Sequence, residues 1–246
     1  MSTADFARRY DLAIFDPAMR ALHDDSGFFN FGDWSEHPAG PPRGPGEASR
    51  RLVERHLAVD PPATAAAVRV VLDAGCGLGA GTRMMARHYP AALVLGINIS
   101  AAQAAHAATA APAARFAAMD AAHLAVVADS VDRIHAVEAA FHFKTRLAFL
   151  HEAHRVLRPG GKLVASDILY QRPLHEVPEE NLWSDEKSYT DKCVSAGFAV
   201  ERFQDLTQCT VEPFCNYLTL NDKKAEARIL RRAIAAYCLV IMRKED

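Results

Sequence analysis

The sequence carries no excess of either charge. Its 28 lysines and arginines nearly balance 30 aspartates and glutamates, and the formal net charge is -2. That gives no electrostatic case for a nucleic acid or an anionic membrane as partner. No apolar run is long enough to span a bilayer. The opening stretch, "MSTADFARRYDLAIF", is charged and lacks the apolar core segment of a signal peptide, so a cytoplasmic location is expected. Cysteines number five, an odd count, with no C-x-x-C and no Cys/His cluster at zinc spacing. Free buried thiols in a reducing compartment and no metal site are expected. Internal repeats are absent. What remains is ordinary globular composition: 246 residues, 50% apolar and 24% charged, enough for one α/β domain with a sizeable core.

The pattern along the chain divides it in two. Residues 1–62 read as an N-terminal segment: an aromatic-rich leader to Ser35, a Pro/Gly loop from Ser35 to Glu47, a helix over "ASRRLVERHL", and a close at Pro61 and Pro62. Residues 63–246 read as the core. There "VRVVLDAG", "LVLGINIS", "ARFAAMD", "SVDRIHAVEA" and "KLVASDIL" are strands, separated by helical stretches and by the turn "RPGG". "AVERFQDLT" and "YCLVIMRK" close the sheet, with a mostly helical segment between them. Such alternation predicts an α/β, Rossmann-like, doubly wound seven-stranded sheet with right-handed crossovers.

The first strand runs into "DAGCGLGAGT", with glycine at every second position. In an open α/β sheet the ligand lies beyond the carboxyl ends of the strands. Glycines there let backbone approach a ligand, and the following helix offers free N–H groups. "GCGLGA" formally satisfies the dinucleotide pattern G-x-G-x-x-G/A, which alone is weak. Three features count against that reading. Asp73 precedes the first glycine, the second strand ends in Asn98 where an NAD site wants an acid, and Asp120 closes the third strand as an acceptor for an adenine amino group.

"VLDAGCGLGAGT", "GINISAAQ", "MDA" and "HEAHRVLRPGGKLVASDI" together resemble the class I methyltransferases that use S-adenosylmethionine (SAM). The resemblance covers residues 68–170 closely, and "RVLRPGGKL" is its most specific part. Within the class the chain is similar to small-molecule O-methyltransferases of natural-product pathways, of the rebeccamycin-sugar and microcystin types, which are related to cyclopropane synthases. The shared marks are "N-I-S-x-x-Q" and the leader motif "FFNFGDW". The resemblance implies SAM as cofactor and S-adenosylhomocysteine (SAH) as product. It implies cofactor contacts from Phe29, Asn30, Asp73, Gly75, Cys76, Gly77, Gly79, Asn98, Gln103, Asp120, Ala121 and the carbonyl of Val137. Asn98 and Gln103 would share the ribose, and the leader would fold over the cofactor as a helical lid closed by Trp34.

Methyl transfer to a hydroxyl needs an aligned acceptor, a dry site and a base. Histidine suits the base because it titrates near neutral pH. The loop after the fourth strand, "VEAAFHFK", offers His142 and Glu138 as catalytic groups. Trp34, His142 and Asp167 are the candidate substrate contacts, while His175 and Trp183 fall in the segment expected to shape specificity. The expected activity is transfer of a methyl group to a small-molecule hydroxyl. Transfer to carbon or nitrogen, and SAM binding turned to non-methyl chemistry such as cyclisation, stay open. The oligomeric state, a homodimer included, is not legible.

Overall fold

The computed structural model describes residues 3–38, 40–174 and 177–245. Helix α1 (Thr3–Ile14) is followed by α2 (Pro17–Leu22). Asp16 caps α2: its carboxylate accepts from the N–H groups of Ala18 and Met19 at 2.8 and 2.9 Å, with proline in the first turn. Helix α3 (Pro45–Leu57) starts three residues before the expected Ala48, because a proline suits the first turn, where its missing N–H costs nothing. Pro62 likewise opens a short helix, α4 (Pro62–Ala65), rather than merely ending the N-terminal segment.

The core then alternates. It runs β1 (Val70–Ala74), α5 (Ala80–His88), β2 (Leu93–Asn98), α6 (Ala101–Ala110), β3 (Arg115–Ala118) and β4 (Val131–Val137). After a 3-10 turn at Ala140–His142 come α7 (Arg146–Val156) and β5 (Leu157–Tyr170). A second 3-10 turn, Glu179–Asn181, leads to α8 (Glu186–Ser195), β6 (Phe198–Asp205), α9 (Thr207–Leu220), α10 (Lys224–Ala233) and β7 (Ile234–Lys244). Gly197, at φ 97°, follows α8 as the left-handed residue expected there. The expected "RPGG" turn exists as a bulge inside β5. The pairing jumps from Val131–Leu157 to Arg133–Lys162, with Gly160 at φ 74°.

The seven strands are ordered β3-β2-β1-β4-β5-β7-β6. β1 pairs parallel with both β2 and β4, so the strand order reverses beside β1. That switch point is where an open α/β sheet binds its ligand. β7 is the exception to a parallel sheet, running antiparallel to both β5 and β6. Its continuous apolar run "CLVIM" is buried on both faces, as a strand wedged between two others must be. One face of the sheet packs Leu72, Ile134, Phe149 and Leu163; the other packs Val164, Ile168, Phe214 and Leu239. Leu52 of α3 belongs to the second group, so the N-terminal segment shares the main core. Among the described residues no helix is long and apolar enough to cross a membrane.

Candidate active site

A cavity of about 640 Å³ lies at the carboxyl ends of the strands, beside the switch point. Its floor is the glycine loop. The N–H groups of Gly75 and Cys76 both donate to the Ile97 carbonyl, at 2.9 and 3.0 Å, which bends the chain sharply after β1. Gly77 sits at φ 51°, and a Cβ there would meet nothing within 4 Å. Its backbone is therefore bare to the cavity. Gly79 differs: it does not line the cavity, and a Cβ would lie 2.9 Å from the Ala107 Cβ. The expected cofactor contact of Gly79 gives way to close packing of the loop on α6.

Acceptor groups ring this end. Asp73 is buried, takes a 2.6 Å hydrogen bond from the Thr82 hydroxyl, and has its pKa pushed up to about 6 by burial. Cys76 lines the cavity as a neutral thiol, because burial pushes its pKa well up. Asn98 lines it too, with its Oδ1 accepting from Ser100 N at 2.9 Å. Gln103 is drawn away from the cavity. Its amide donates to Asp11 at 2.8 Å and its carbonyl accepts from Asn98 at 3.1 Å, so it ties α1 to β2 instead of reaching the site. Asp120 and Ala121 lie at the end of β3, where Asp120 Oδ1 accepts from Ala122 N at 2.8 Å. Phe29, Asn30 and Val137 complete this half. The Asn30 side-chain oxygen is buried without a hydrogen-bond partner.

Glu138 and His142 also line the cavity. Glu138 Oε2 accepts from Phe31 N at 2.8 Å and from the Tyr237 hydroxyl at 2.7 Å. Burial outweighs both bonds and pushes its pKa up to about 8. The His142 ring stands among those of Phe6, Tyr10 and Phe141, at centroid distances of 5.6, 5.2 and 4.0 Å.

The structure overturns two expected substrate contacts. Trp34 does not reach the cavity: its N–H groups go to the carbonyls of Cys209 and Phe31, and its ring packs 5.8 Å from Tyr217 of α9. Asp167 is fully buried in the sheet, 3.2 Å from Arg146 Nε and 3.0 Å from the Tyr189 hydroxyl. A carboxylate there needs a partner more than it needs a substrate. Trp183 is core as well, with the Arg146 guanidinium 4.6 Å from its ring centre. His175 lies outside the described residues.

Other walls carry no motif. Phe6, Tyr10 and Ile14 reach in from α1, and Leu174, Val177, Pro178, Glu179 and Glu180 form the mouth. The i, i+4 spacing of Phe6, Tyr10 and Ile14 marks one helix face, the single signal the sequence offered for them. Among the described residues no group of three or more His, Cys, Asp or Glu is placed to hold a metal ion.

Residues 72–165 match the family described as a methyltransferase domain. Over 166 residues the chain is 33% identical to methyltransferase GfsG of Streptomyces halstedii, covering 65% of this chain and 56% of that protein. It is 24% identical over 172 residues to the erythromycin 3''-O-methyltransferase of Saccharopolyspora erythraea, covering 60% and 56% respectively. The chain thus spans little more than half the length of these relatives. Its backbone superimposes on the [4+2]-cyclase SpnF with TM-score 0.77 at 20% identity, covering 100% of this chain and 97% of that one. Residues 72–165 thus carry a methyltransferase domain, set in a fold that solved methyltransferases share.

Proposed function

We propose that this protein transfers a methyl group from SAM to a hydroxyl of an uncharged small molecule, releasing SAH, in natural-product biosynthesis. One observation carries the reading. One chamber is lined by bare Gly77 backbone with Asp73, Asn98 and Asp120 from the ends of β1, β2 and β3, and by Glu138 and His142 from the loop after β4. The first group fits SAM. The unpartnered Asn30 oxygen awaits a donor, Gly77 leaves room for close approach, and the carboxylates and amide supply acceptors for amino and hydroxyl groups. Bound SAM supplies a methyl carbon activated for in-line displacement.

The protein's own part is to orient, dry and deprotonate. Phe29, Asn30, Asp73 and the Val137 carbonyl would hold the amino-acid end, Asn98 the ribose, and Asp120 with Ala121 the adenine. Phe6, Tyr10 and Ile14 exclude water from above. His142 accepts the proton of the acceptor hydroxyl. The acceptor half favours an uncharged molecule. Among its described lining residues the cationic side chains are Lys144 and, when protonated, His142, against the carboxylates of Glu179 and Glu180, while Glu138 keeps its proton near neutral pH. A phosphate or carboxylate would meet like charge there.

A second reading keeps SAM bound for cyclisation, and the backbone shared with a [4+2]-cyclase favours it. SAH release separates the two. Calorimetry should show SAM and SAH binding and negligible NADH binding. Uncharged hydroxylated molecules should then drive SAH release, and His142→Ala should cut that turnover by about 10²- to 10⁴-fold with SAH affinity within a few-fold. Micromolar NADH binding without SAM binding would sink the proposal.

A further inference from the structure

We propose that Asn181 is a positioning residue that holds the His142 turn and the mouth of the acceptor chamber as one piece. The proposal rests on the reading of His142 as the base. Three backbone groups around His142 have no partner in a helix or strand ladder. They are the carbonyls of Phe141 and Phe143, on either side of His142, and the N–H of Arg146 in the first turn of α7. The Asn181 side chain satisfies all three. Its amide donates to Phe141 O at 2.9 Å and to Phe143 O at 2.7 Å, and its Oδ1 accepts from Arg146 N at 2.7 Å.

Asn181 is itself fully buried, and its own main chain is anchored. Its N–H donates to the Pro178 carbonyl at 2.9 Å, and its carbonyl accepts from Trp183 N at 2.9 Å. Pro178, Glu179 and Glu180, just before it, line the chamber mouth. One side chain thus joins the mouth, both flanks of His142 and the start of α7. The chemistry demands an amide. Asparagine brings two donors and an acceptor on a short stem, serine and threonine bring one donor, and an ionised aspartate brings none. An aspartate there would point lone pairs at two carbonyl oxygens. Cofactor-end residues make no hydrogen bond to Asn181, so its loss should spare cofactor binding and misplace the base. A misplacement of about 1 Å can cost about 10²-fold in rate.

The test compares Asn181→Asp and Asn181→Ser with the wild type, using the full chain and SAH as the binding probe. SAH affinity should stay within a few-fold, which also shows that the variants fold. In the SAH complex the His142 ring signal, followed by NMR across pH, should shift or broaden in both variants while the buried His56 signal stays put. Turnover should drop about 10- to 100-fold, and in a His142→Ala background the same substitution should change it less than about threefold. Unmoved His142 signals, or equal losses in both backgrounds, would overturn the proposal. A neutral His142→Ala would overturn the base reading instead, whatever Asn181 does. Hydrogen exchange on the wild type reads the coupling without any substitution. The amides of Phe143, Arg146 and Asn181 should open together, and a much slower Arg146 would count against the clamp.

Discussion

Glu138 occupies the left-handed backbone region at φ 51°, a conformation that costs a non-glycine residue and persists only where its surroundings hold it. They do so here through Phe31, 107 positions away in the chain, and through Tyr237 on β7. The position after β4 identified Glu138 as a cavity residue from sequence alone. Neither its strained backbone nor its grip on the leader was legible, because both depend on partners distant in sequence. Its pKa, pushed up to about 8, sets a direction for stability. An acid whose folded pKa is raised keeps its proton in the folded state after the unfolded chain has lost it. Its contribution is full below the unfolded value of about 4.3 and falls as pH rises through 8. Glu138→Gln keeps an oxygen to accept from Phe31 and Tyr237 but cannot ionise. Stabilities from urea titrations at pH 6 and pH 9 should therefore show the variant gaining on the wild type by about 3 kcal/mol. A gap that stays constant would mean that Glu138 ionises normally in the fold.

Among the elements, the two parts of the leader prove unequal. The stretch from Phe28 to Trp34 carries the family-like motif and is woven into the core. Asp33 N donates to Ala48 O and Trp34 N to Cys209 O, both at 2.8 Å, and the Asp33 carboxylate pairs with Arg55. Helix α1 has no motif, yet it supplies Phe6, Tyr10 and Ile14 to the chamber. Its ties include Asp11 to Gln103, the Phe6 and Tyr10 rings against His142, and, just after it, Phe15 against the His106 ring at 5.9 Å. Reading Gln103 as a ribose ligand missed this, because its neighbour Asn98 does face the cavity and spacing alone cannot tell which amide turns inward. The motif-free part of the leader that covers the chamber is thus α1. A chain beginning at Asp16 should melt within a few degrees of the full chain and bind SAH at least about tenfold more weakly, since water then enters the site. Unchanged SAH affinity would reduce α1 to packing.

For the whole molecule, alternating strands and helices made the seven-stranded sheet legible, and the glycine loop located its switch point. The antiparallel entry of β7 was hidden, since pairing direction is set by connections and not by local pattern. Hidden too was a layer under α3 that sets the acid limit of the fold. His56 is fully buried, and neither ring nitrogen has a hydrogen-bond partner. The His135 ring stands 5.8 Å away, bonded through Nε2 to the Tyr89 hydroxyl at 3.0 Å and with Nδ1 unpartnered. Burial holds both well below the ordinary histidine pKa, His135 at about 3, and lowers His23 to about 4. A histidine with a depressed folded pKa contributes stability that is complete above the unfolded value of about 6.5 and is lost as pH falls below it, because the unfolded chain takes up protons first. Glu138 acts with the opposite slope from about 4.3 to 8; the three histidines outweigh it below about 6.5 and it acts without them above, so stability should peak near pH 6.5. Each neutral buried histidine steepens the acid limb by about 1.4 kcal/mol per pH unit. His56→Leu removes one such proton along with two unpartnered buried nitrogens, so it should be more stable than the wild type at pH 5 and show a limb shallower by about that amount. Parallel limbs in denaturant titrations from pH 4.5 to 6.5 would show that His56 is already charged or hydrated in the fold.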